Sequence, residues 1–258
     1  MQSIKSPLLS HESLRLDARR QLRDELISGI SGLFLAVFMW GHMLLVGSIL
    51  TGSRGFDWMA TMLERYYIAQ PTVFFILILF LVHAVFASRK IPAKLHERRM
   101  LLQLSRGLRN SGREHVAQKS EHSPFQPHLD SMLWIWQVRS GMVILVIGSF
   151  HILLLALDVF TSLFGVQTGI ESATTLARVS AGLWLPYAIL LLCVEFHASV
   201  GLYRLAVKWG AGRLLSRRTL HAIERILFWS ILGLGAVTLA VLAGWLPPPL
   251  AFLLSPSS

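Results

Sequence analysis

Five long apolar runs constrain the fold of this chain more than any other feature of its sequence. A helix needs about 20 apolar residues to cross the hydrocarbon core of a bilayer, and a β-barrel would instead show alternation in segments of about ten residues. We predict an all-α fold, a polytopic membrane helical bundle that forms a single membrane domain over residues 1–258. Its five transmembrane helices are predicted at residues 29–51, 71–89, 130–158, 179–208 and 221–246.

The basic residues predict how this bundle is oriented. All but four of the 24 Lys and Arg residues lie before the first run, after the second or around the end of the fourth. Because cytoplasmic loops are enriched in Lys and Arg, the N-terminal segment 1–28 and the loop 91–128 are predicted to be cytoplasmic and the C-terminus periplasmic. The net charge of +10 therefore indicates topology, and we expect no nucleic-acid partner.

Four of the ten histidines lie inside the apolar runs, one in each of the first four: His42, His83, His151 and His197. A single membrane histidine is often a hydrogen bond between helices, but one in each of four helices is harder to explain as packing. The other six, His221 among them, are expected to be solvated surface residues.

The depths of the four membrane histidines sort them into two pairs. At about 1.5 Å per residue, His83 lies about 9 Å from Arg89 and His197 about 10 Å from Arg204, so both are near the cytoplasmic side. His42 and His151 lie farther from the basic flanks, near the outer side. Two levels with one histidine from each of two helices predict two stacked bis-histidine haems, because neutral imidazole is a good iron ligand.

Small residues near these histidines fit a flat macrocycle that approaches a backbone. Gly32 precedes His42 by ten residues, and Gly141 precedes His151 by the same number. We expect both glycines to make room for a haem, although glycine is also common in ordinary packing between membrane helices.

The fourth run carries polar groups on two sides of one helix. His197, Arg204 and Lys208 share one stripe, so the two cations are placed either to meet haem propionates or to anchor the helix at the interface. Glu195 lies about 200° round the helix from His197, with Ser199 four residues on as a candidate hydrogen-bond partner. Intramembrane acids often mark proton relays; the alternative is a protonated acid that bonds a neighbouring helix.

The segment between the first two runs offers two acids on the outer side, Asp57 and Glu64. An acid there is suited to accept protons from a quinol. Glu64 is the better candidate because it lies beside the start of the second run.

Several segments together resemble the di-haem cytochrome b subunits of menaquinol:fumarate reductases, in the succinate dehydrogenase/fumarate reductase superfamily. They are SGLFLAVFMWGHM, LVHAVFASRKIP, LWIWQVRSG, GSFHILL and VEFHASVGLYRLAVKWG. They touch the first four runs and cover about half of the chain, and the last is the most specific. The fifth run carries no such motif.

The resemblance implies roles for individual residues. It implies a distal haem held by His42 and His151 and a proximal haem held by His83 and His197, as the depths predict. It implies that Glu64 is the proton acceptor in menaquinol oxidation.

Further roles follow from the same resemblance. Glu195 matches an acid that carries protons across the membrane, and Trp134 and Lys208 match positions near haem propionates. Two departures are Ser28, which stands in a region where the family has other polar residues, and Arg178, where the spacing to His197 is shorter by one residue.

The predicted function is a membrane anchor and electron conduit of the cytoplasmic (inner) membrane in anaerobic respiration. Menaquinol would be oxidised near the outer side, and electrons would pass through two haem b groups to an iron–sulfur subunit and a flavoprotein subunit docked on the cytoplasmic face. The resemblance also allows a dimer of such heterotrimers. The alternatives are the same subunit in a succinate:quinone oxidoreductase running in reverse, and a transport or receptor protein whose histidines bind no haem.

Overall fold

The computed structural model describes residues 11–92, 95–96, 99–100, 103, 129–161 and 170–254. Within these ranges every regular element is a helix. Most of the predicted cytoplasmic loop 91–128 lies outside the described residues. Internal contacts divide the chain into two compact units, one of Met1–Gly32 with Ile78–Gln126 and one of Leu33–Leu77 with Pro127–Ser258.

Seven α-helices account for most of the described residues. They are α1 (His11–Gly47), α2 (Ser53–Arg65), α3 (Ala69–Ser88), α4 (Leu129–Thr161), α5 (Ser172–Arg178), α6 (Trp184–Lys208) and α7 (Arg217–Leu242). Short 3₁₀ turns at Ser48–Thr51, Ala211–Arg213 and Ala251–Leu254 and a π turn at Val179–Leu183 lie between or after them.

The prediction of five membrane-spanning helices is confirmed. Five helical stretches are long and apolar enough to span a bilayer: Ala18–Thr51, Ala69–Ser88, Met132–Asp158, Ser172–Lys208 and Arg217–Leu242. Their side chains point largely outward, since only 0–22% of the residues in each apolar window are buried within the chain. Such helices are solvated by lipid rather than by water, and the chain is a multi-pass membrane protein.

The fourth span begins at Ser172, seven residues before the predicted start. The helical path continues from α5 into α6 through the π turn, where Gly182 has φ +102°. Only glycine adopts this backbone conformation at little cost, so it allows the path to bend without ending. A π turn inside a membrane helix often marks a functional position.

The segment between the first two spans folds as the amphipathic helix α2 instead of an open loop. Phe56 and Ala60, one turn apart, are buried on one face. They join a core at one end of the larger unit, completed by Ile49, Leu50, Val179, Val241 and Leu242. This core fixes α2 against the ends of the spans and so places the acids of α2.

The fifth span begins earlier than predicted because Ser216 caps it. The Ser216 hydroxyl accepts a hydrogen bond from the Thr219 backbone N–H at 3.1 Å, which satisfies one of the free donors of the first turn. After Leu242 the chain turns at Gly244, with φ +75°. Ala251–Leu254 then form a 3₁₀ turn.

Candidate functional site

His42 and His151, the pair predicted to lie near the outer side, meet inside the larger unit. The ring centroids of His42 on α1 and His151 on α4 lie 6.4 Å apart. Two imidazoles this close together would be able to hold one metal ion between them. Phe38 stacks on the His42 ring at 5.7 Å, and the Tyr187 ring meets the His151 ring edge-on at 5.3 Å.

The Nδ1 atom of His151 is buried without a hydrogen-bond partner among the described residues. Buried polar atoms are nearly always paired, so an unpaired one calls for an explanation. Together with the spacing to His42, this orphaned nitrogen fits a site in which the imidazole serves a group other than the protein.

A buried ion pair lies two helical turns along α4 from His151. The Arg178 Nη1 atom donates to the Asp158 Oδ2 atom at 2.8 Å, and Nη2 donates to the Thr175 hydroxyl at 3.1 Å. Both charged side chains are nearly inaccessible, at 6% and 3% exposure. Asp158 was not among the predicted site residues; its position seven residues after His151, at the end of an apolar run, was the available signal in the sequence.

The third histidine, His197 of the larger unit, packs against α4. We call the residues it contacts there its seat: Gln137, Ser140 and Gly141. Its Nδ1 atom lies 2.8 Å from the Gln137 carbonyl oxygen and 3.4 Å from the Ser140 hydroxyl. A carbonyl only accepts, so Nδ1 carries the proton and donates, which leaves Nε2 with the lone pair that binds a metal. The carbonyl thereby fixes both the tautomer and the direction of the ring.

The histidine of the smaller unit, His83, has a closely similar seat on α1. Its Nδ1 atom lies 3.0 Å from the Ser28 carbonyl oxygen and 3.3 Å from the Ser31 hydroxyl. The same argument makes Nδ1 the donor and puts the lone pair on Nε2. The two seats share a serine followed directly by a glycine, ten residues before another membrane histidine, and this repeat was the signal in the sequence.

The glycines of these two seats lie against the imidazoles. A Cβ atom on Gly32 would lie 2.9 Å from His83 Cε1, and a Cβ atom on Gly141 would lie 2.8 Å from His197 Cε1. Each histidine is therefore packed directly against a helix backbone, at a distance that only glycine permits.

We expect the Gly141→Ala variant to lose about 1–3 kcal/mol of stability, because the added methyl must displace the His197 ring. The matched control is Gly233→Ala, where a Cβ atom meets nothing within 4 Å among the described residues. That variant should be neutral or gain up to about 1 kcal/mol, since alanine favours a helix over glycine. Denaturation of both proteins in detergent measures the difference, and equal stabilities would contradict the seat described for His197.

Two basic side chains contact these seats, Arg204 in the larger unit and Lys90 in the smaller one. The Arg204 Nη1 atom donates to the Gln137 Oε1 atom at 3.1 Å. Lys90 donates a short hydrogen bond to the Ser28 hydroxyl, and its Nζ atom lies 3.7 Å from Glu25 Oε1.

The other residues predicted on the propionate side lie at different places in the helices. Lys208 is exposed at the end of α6, and Trp134 is half-buried on α4. Ser28, one of the two departures noted in the sequence, acts through both its hydroxyl and its carbonyl.

Glu195 lies on a different face of α6 from His197. It is only 3% exposed and shares a stripe with Leu191, whose side chain packs against Gly235 of α7. The expected hydrogen bond from Ser199 does not occur, and the described residues offer the Glu195 carboxyl no other hydrogen-bond partner. His197 faces α4 and Glu195 faces α7, so one helix presents two chemically separate sides.

His221 is not the solvated surface residue that the sequence predicted. Its ring stacks on Tyr203 with centroids 4.1 Å apart, and its Nδ1 atom lies 3.4 Å from Glu224 Oε2. Only 23% of the His221 side chain is exposed, because α7 packs along α6 here.

The acids of α2 line a cavity of about 250 Å³, together with Ala60, Thr61, Ile170 and Glu171. Both carboxylate oxygens of Asp57 are engaged, accepting from the Ser172 backbone N–H at 2.8 Å and from its hydroxyl at 2.9 Å. Glu64 is exposed at the cavity, and no hydrogen bond to its carboxylate occurs among the described residues. Of the two acids, Glu64 is therefore the one placed to exchange a proton.

Comparisons with known proteins all point to one family of membrane subunits. The family model described as succinate dehydrogenase/fumarate reductase transmembrane subunit matches residues 113–242. The chain is 32% identical over 188 residues to the fumarate reductase cytochrome b subunit of Wolinella succinogenes, a match that covers 70% of this chain and 64% of that protein, slightly less than two thirds of the relative's length. It is 27% identical over 220 residues to the fumarate reductase cytochrome b subunit of Helicobacter pylori, covering 81% of this chain and 76% of the relative.

Proposed function

The chain belongs to the succinate dehydrogenase/fumarate reductase transmembrane subunit family, and from this premise we propose that it is the di-haem cytochrome b anchor subunit of a menaquinol:fumarate reductase. The observation that carries the proposal is the set of four membrane histidines. One pair has its rings 6.4 Å apart, and each of the other two histidines donates from Nδ1 to a backbone carbonyl, which puts the lone pair on Nε2.

The proposed ligand pairs follow the two depths. His42 and His151 hold a distal haem near the outer side, and His83 and His197 hold a proximal haem near the cytoplasm. Each haem b supplies a centre that takes up and releases one electron. The protein contributes rigid imidazoles, and an apolar surrounding in which charges close to the site act strongly.

Proton handling is assigned to two acids. Glu64 accepts a proton from menaquinol at the outer cavity, supported by its exposure there and by the engagement of the neighbouring Asp57. Glu195 carries protons through the membrane, supported by its burial on the face of α6 turned away from His197. Arg204, Lys208 and Trp134 are assigned to the propionate side of the proximal haem.

The proposed partners and location follow from the family. The subunit is placed in the cytoplasmic membrane with its N-terminus inside and its C-terminus in the periplasm. An iron–sulfur subunit and a flavoprotein subunit, where fumarate would be reduced, dock on the cytoplasmic face. The described residues contain neither a nucleotide-binding motif nor a cysteine cluster, so fumarate chemistry is assigned to those partners.

The ligand assignment predicts which variants share a phenotype. Alanine in place of His42 or of His151 should remove one and the same haem, and alanine in place of His83 or His197 should remove the other, because one imidazole alone holds iron weakly. Absorption spectra with redox titration of the purified protein separate the two haems. His221→Ala is the control and should keep both. A different grouping of the four variants would overturn the pairing, and a wild-type protein without a b-type spectrum would overturn the function.

The role of Glu195 predicts a change in charge movement. A Glu195→Gln variant that keeps both haems should either lose turnover or generate a transmembrane potential in liposomes during quinol oxidation, since electrons would then cross without a compensating proton. A potential-sensitive dye reports the result. Wild-type turnover without a potential would assign Glu195 to helix packing.

A further inference from the structure

Gln137 links a charged side chain to the seat of a histidine through two different atoms. Its backbone carbonyl accepts the proton of His197 Nδ1, while its side-chain Oε1 atom accepts from Arg204. The Gln137 amide group also lies against the α6 backbone, since a Cβ atom on Gly201 would be 3.0 Å from its Nε2 atom. Arg204 and His197 are thus both hydrogen-bonded to the same residue, which restrains the position of the Arg204 charge.

Ser28 makes the corresponding link in the smaller unit. Its carbonyl accepts from His83 Nδ1, and its hydroxyl accepts from Lys90. The hydroxyl proton is in turn donated to the Glu25 carbonyl at 3.2 Å, so the oxygen is oriented toward the lysine. In both units the cation follows its histidine by seven residues, which places it two turns along the same helix face.

We propose that Gln137 and Ser28 are positioning residues that hold one cation two helical turns from each imidazole of the proximal pair and thereby raise the reduction potential of the iron these imidazoles bind. This inference rests on the proposed function, because it concerns residues around ligands of that haem. In each unit one residue binds both groups: its backbone carbonyl accepts from the histidine, and its side chain accepts from the cation. The positions of the cation and of the imidazole are therefore coupled.

The direction of the effect follows from electrostatics. Ferric haem carries one more positive charge than ferrous haem, so a nearby cation disfavours the ferric form and raises the potential. The effect of a charge is larger in a medium of low dielectric constant than in water, and it depends on how far the charge is allowed to move. An arginine or lysine that loses one of its hydrogen bonds is less restrained, so its charge spends more time toward water, where it is screened.

Redox titration of the purified complex tests the larger unit first. Gln137→Met removes the acceptor oxygen with little change in length and keeps the backbone carbonyl, and Arg204→Met removes the charge. Each single variant should shift one component of the two-haem titration to lower potential and leave the other unchanged. In the double variant, Gln137→Met should add little to Arg204→Met, because the glutamine acts through the arginine.

Arg139→Met is the matched control. Arg139 lies two residues from Gln137 on α4, but it is exposed and its guanidinium contacts the Trp136 ring at 5.1 Å. Its removal should leave both components in place. In the smaller unit the Lys90 Nζ atom also lies 3.7 Å from Glu25 Oε1, which offsets part of its charge and still anchors it when Ser28 is replaced. Lys90→Met should therefore lower the potential more than Ser28→Ala. Arg89→Met is the control, since Arg89 is exposed over Phe86.

The outcomes separate the two levels of the proposal. Absence of b haem from the wild-type protein would refute the proposed function. Two haems with potentials that do not respond to Gln137→Met, or that respond additively in the double variant, would refute the positioning role and leave the function standing. If Gln137→Met does not retain haem, Gln137→Glu, which keeps an acceptor for Arg204, should restore it; failure to do so would also refute the role.

Discussion

Quinol oxidation by a Glu64→Gln variant is expected to fall by about 10²–10⁴-fold, the usual contribution of a general base. The amide has nearly the shape of the carboxylate but does not accept a proton. Glu64 is exposed at the cavity beside α2, whereas both oxygens of Asp57 already bind Ser172. No second acid of α2 is therefore placed to replace it.

Turnover with a menaquinol analogue, measured alongside the haem spectrum, provides the readout. The spectrum must stay unchanged, which shows that the loss is one of proton transfer and not of folding. Glu224→Gln serves as the control, because Glu224 is an acid of α7 that contacts His221 and does not line the cavity. Retained turnover in Glu64→Gln would remove Glu64 from the mechanism.

An Asp158→Asn variant is expected to lose about 3–5 kcal/mol of stability. The substitution leaves the Arg178 guanidinium buried at 6% exposure without its counter-ion. Burying an unpaired charge is costly, whereas burying neither charge is not. The double variant Asp158→Asn with Arg178→Gln should therefore recover part of the loss.

Chemical denaturation in detergent of the wild type, both single variants and the double variant gives the coupling between the two side chains. An interaction energy near zero would mean that the pair contributes nothing beyond its separate parts. Because Asp158 lies on the same helix as His151, the haem spectrum of each variant also reports whether the pair supports His151 as the proposed distal ligand.

The five spans, and the choice of the four membrane histidines as candidate site residues, could be predicted from sequence. Each depends on the free-energy cost of placing particular side chains in a membrane, which can be judged from a short stretch of sequence. An apolar run of 20 residues has few alternatives to a membrane helix, and an ionisable side chain inside it is expensive enough to indicate function. The helical rise then converts sequence separation into depth, so the outer pair His42 and His151 could be proposed before any contact was known.

The features that sequence reasoning missed depend on contacts between distant segments. The Asp158–Arg178 pair joins residues on two helices, and the sequence around either residue does not predict its partner. The proximity of Gly141 to an imidazole required knowing that His197 packs on α4. Helix α2 was overlooked because it is short and partly polar, and its apolar face is defined only by the core it joins.

Helix α4 fixes the distance between the two levels of the proposed electron path. Gly141 receives His197 of the inner level, and His151 of the outer level follows ten residues later, about 15 Å along a helix. One residue inserted between them would turn the two positions about 100° relative to each other as well as lengthening the gap. The separation of the two levels is therefore set by covalent chain geometry, and loops of any length outside this stretch are free to vary without altering it.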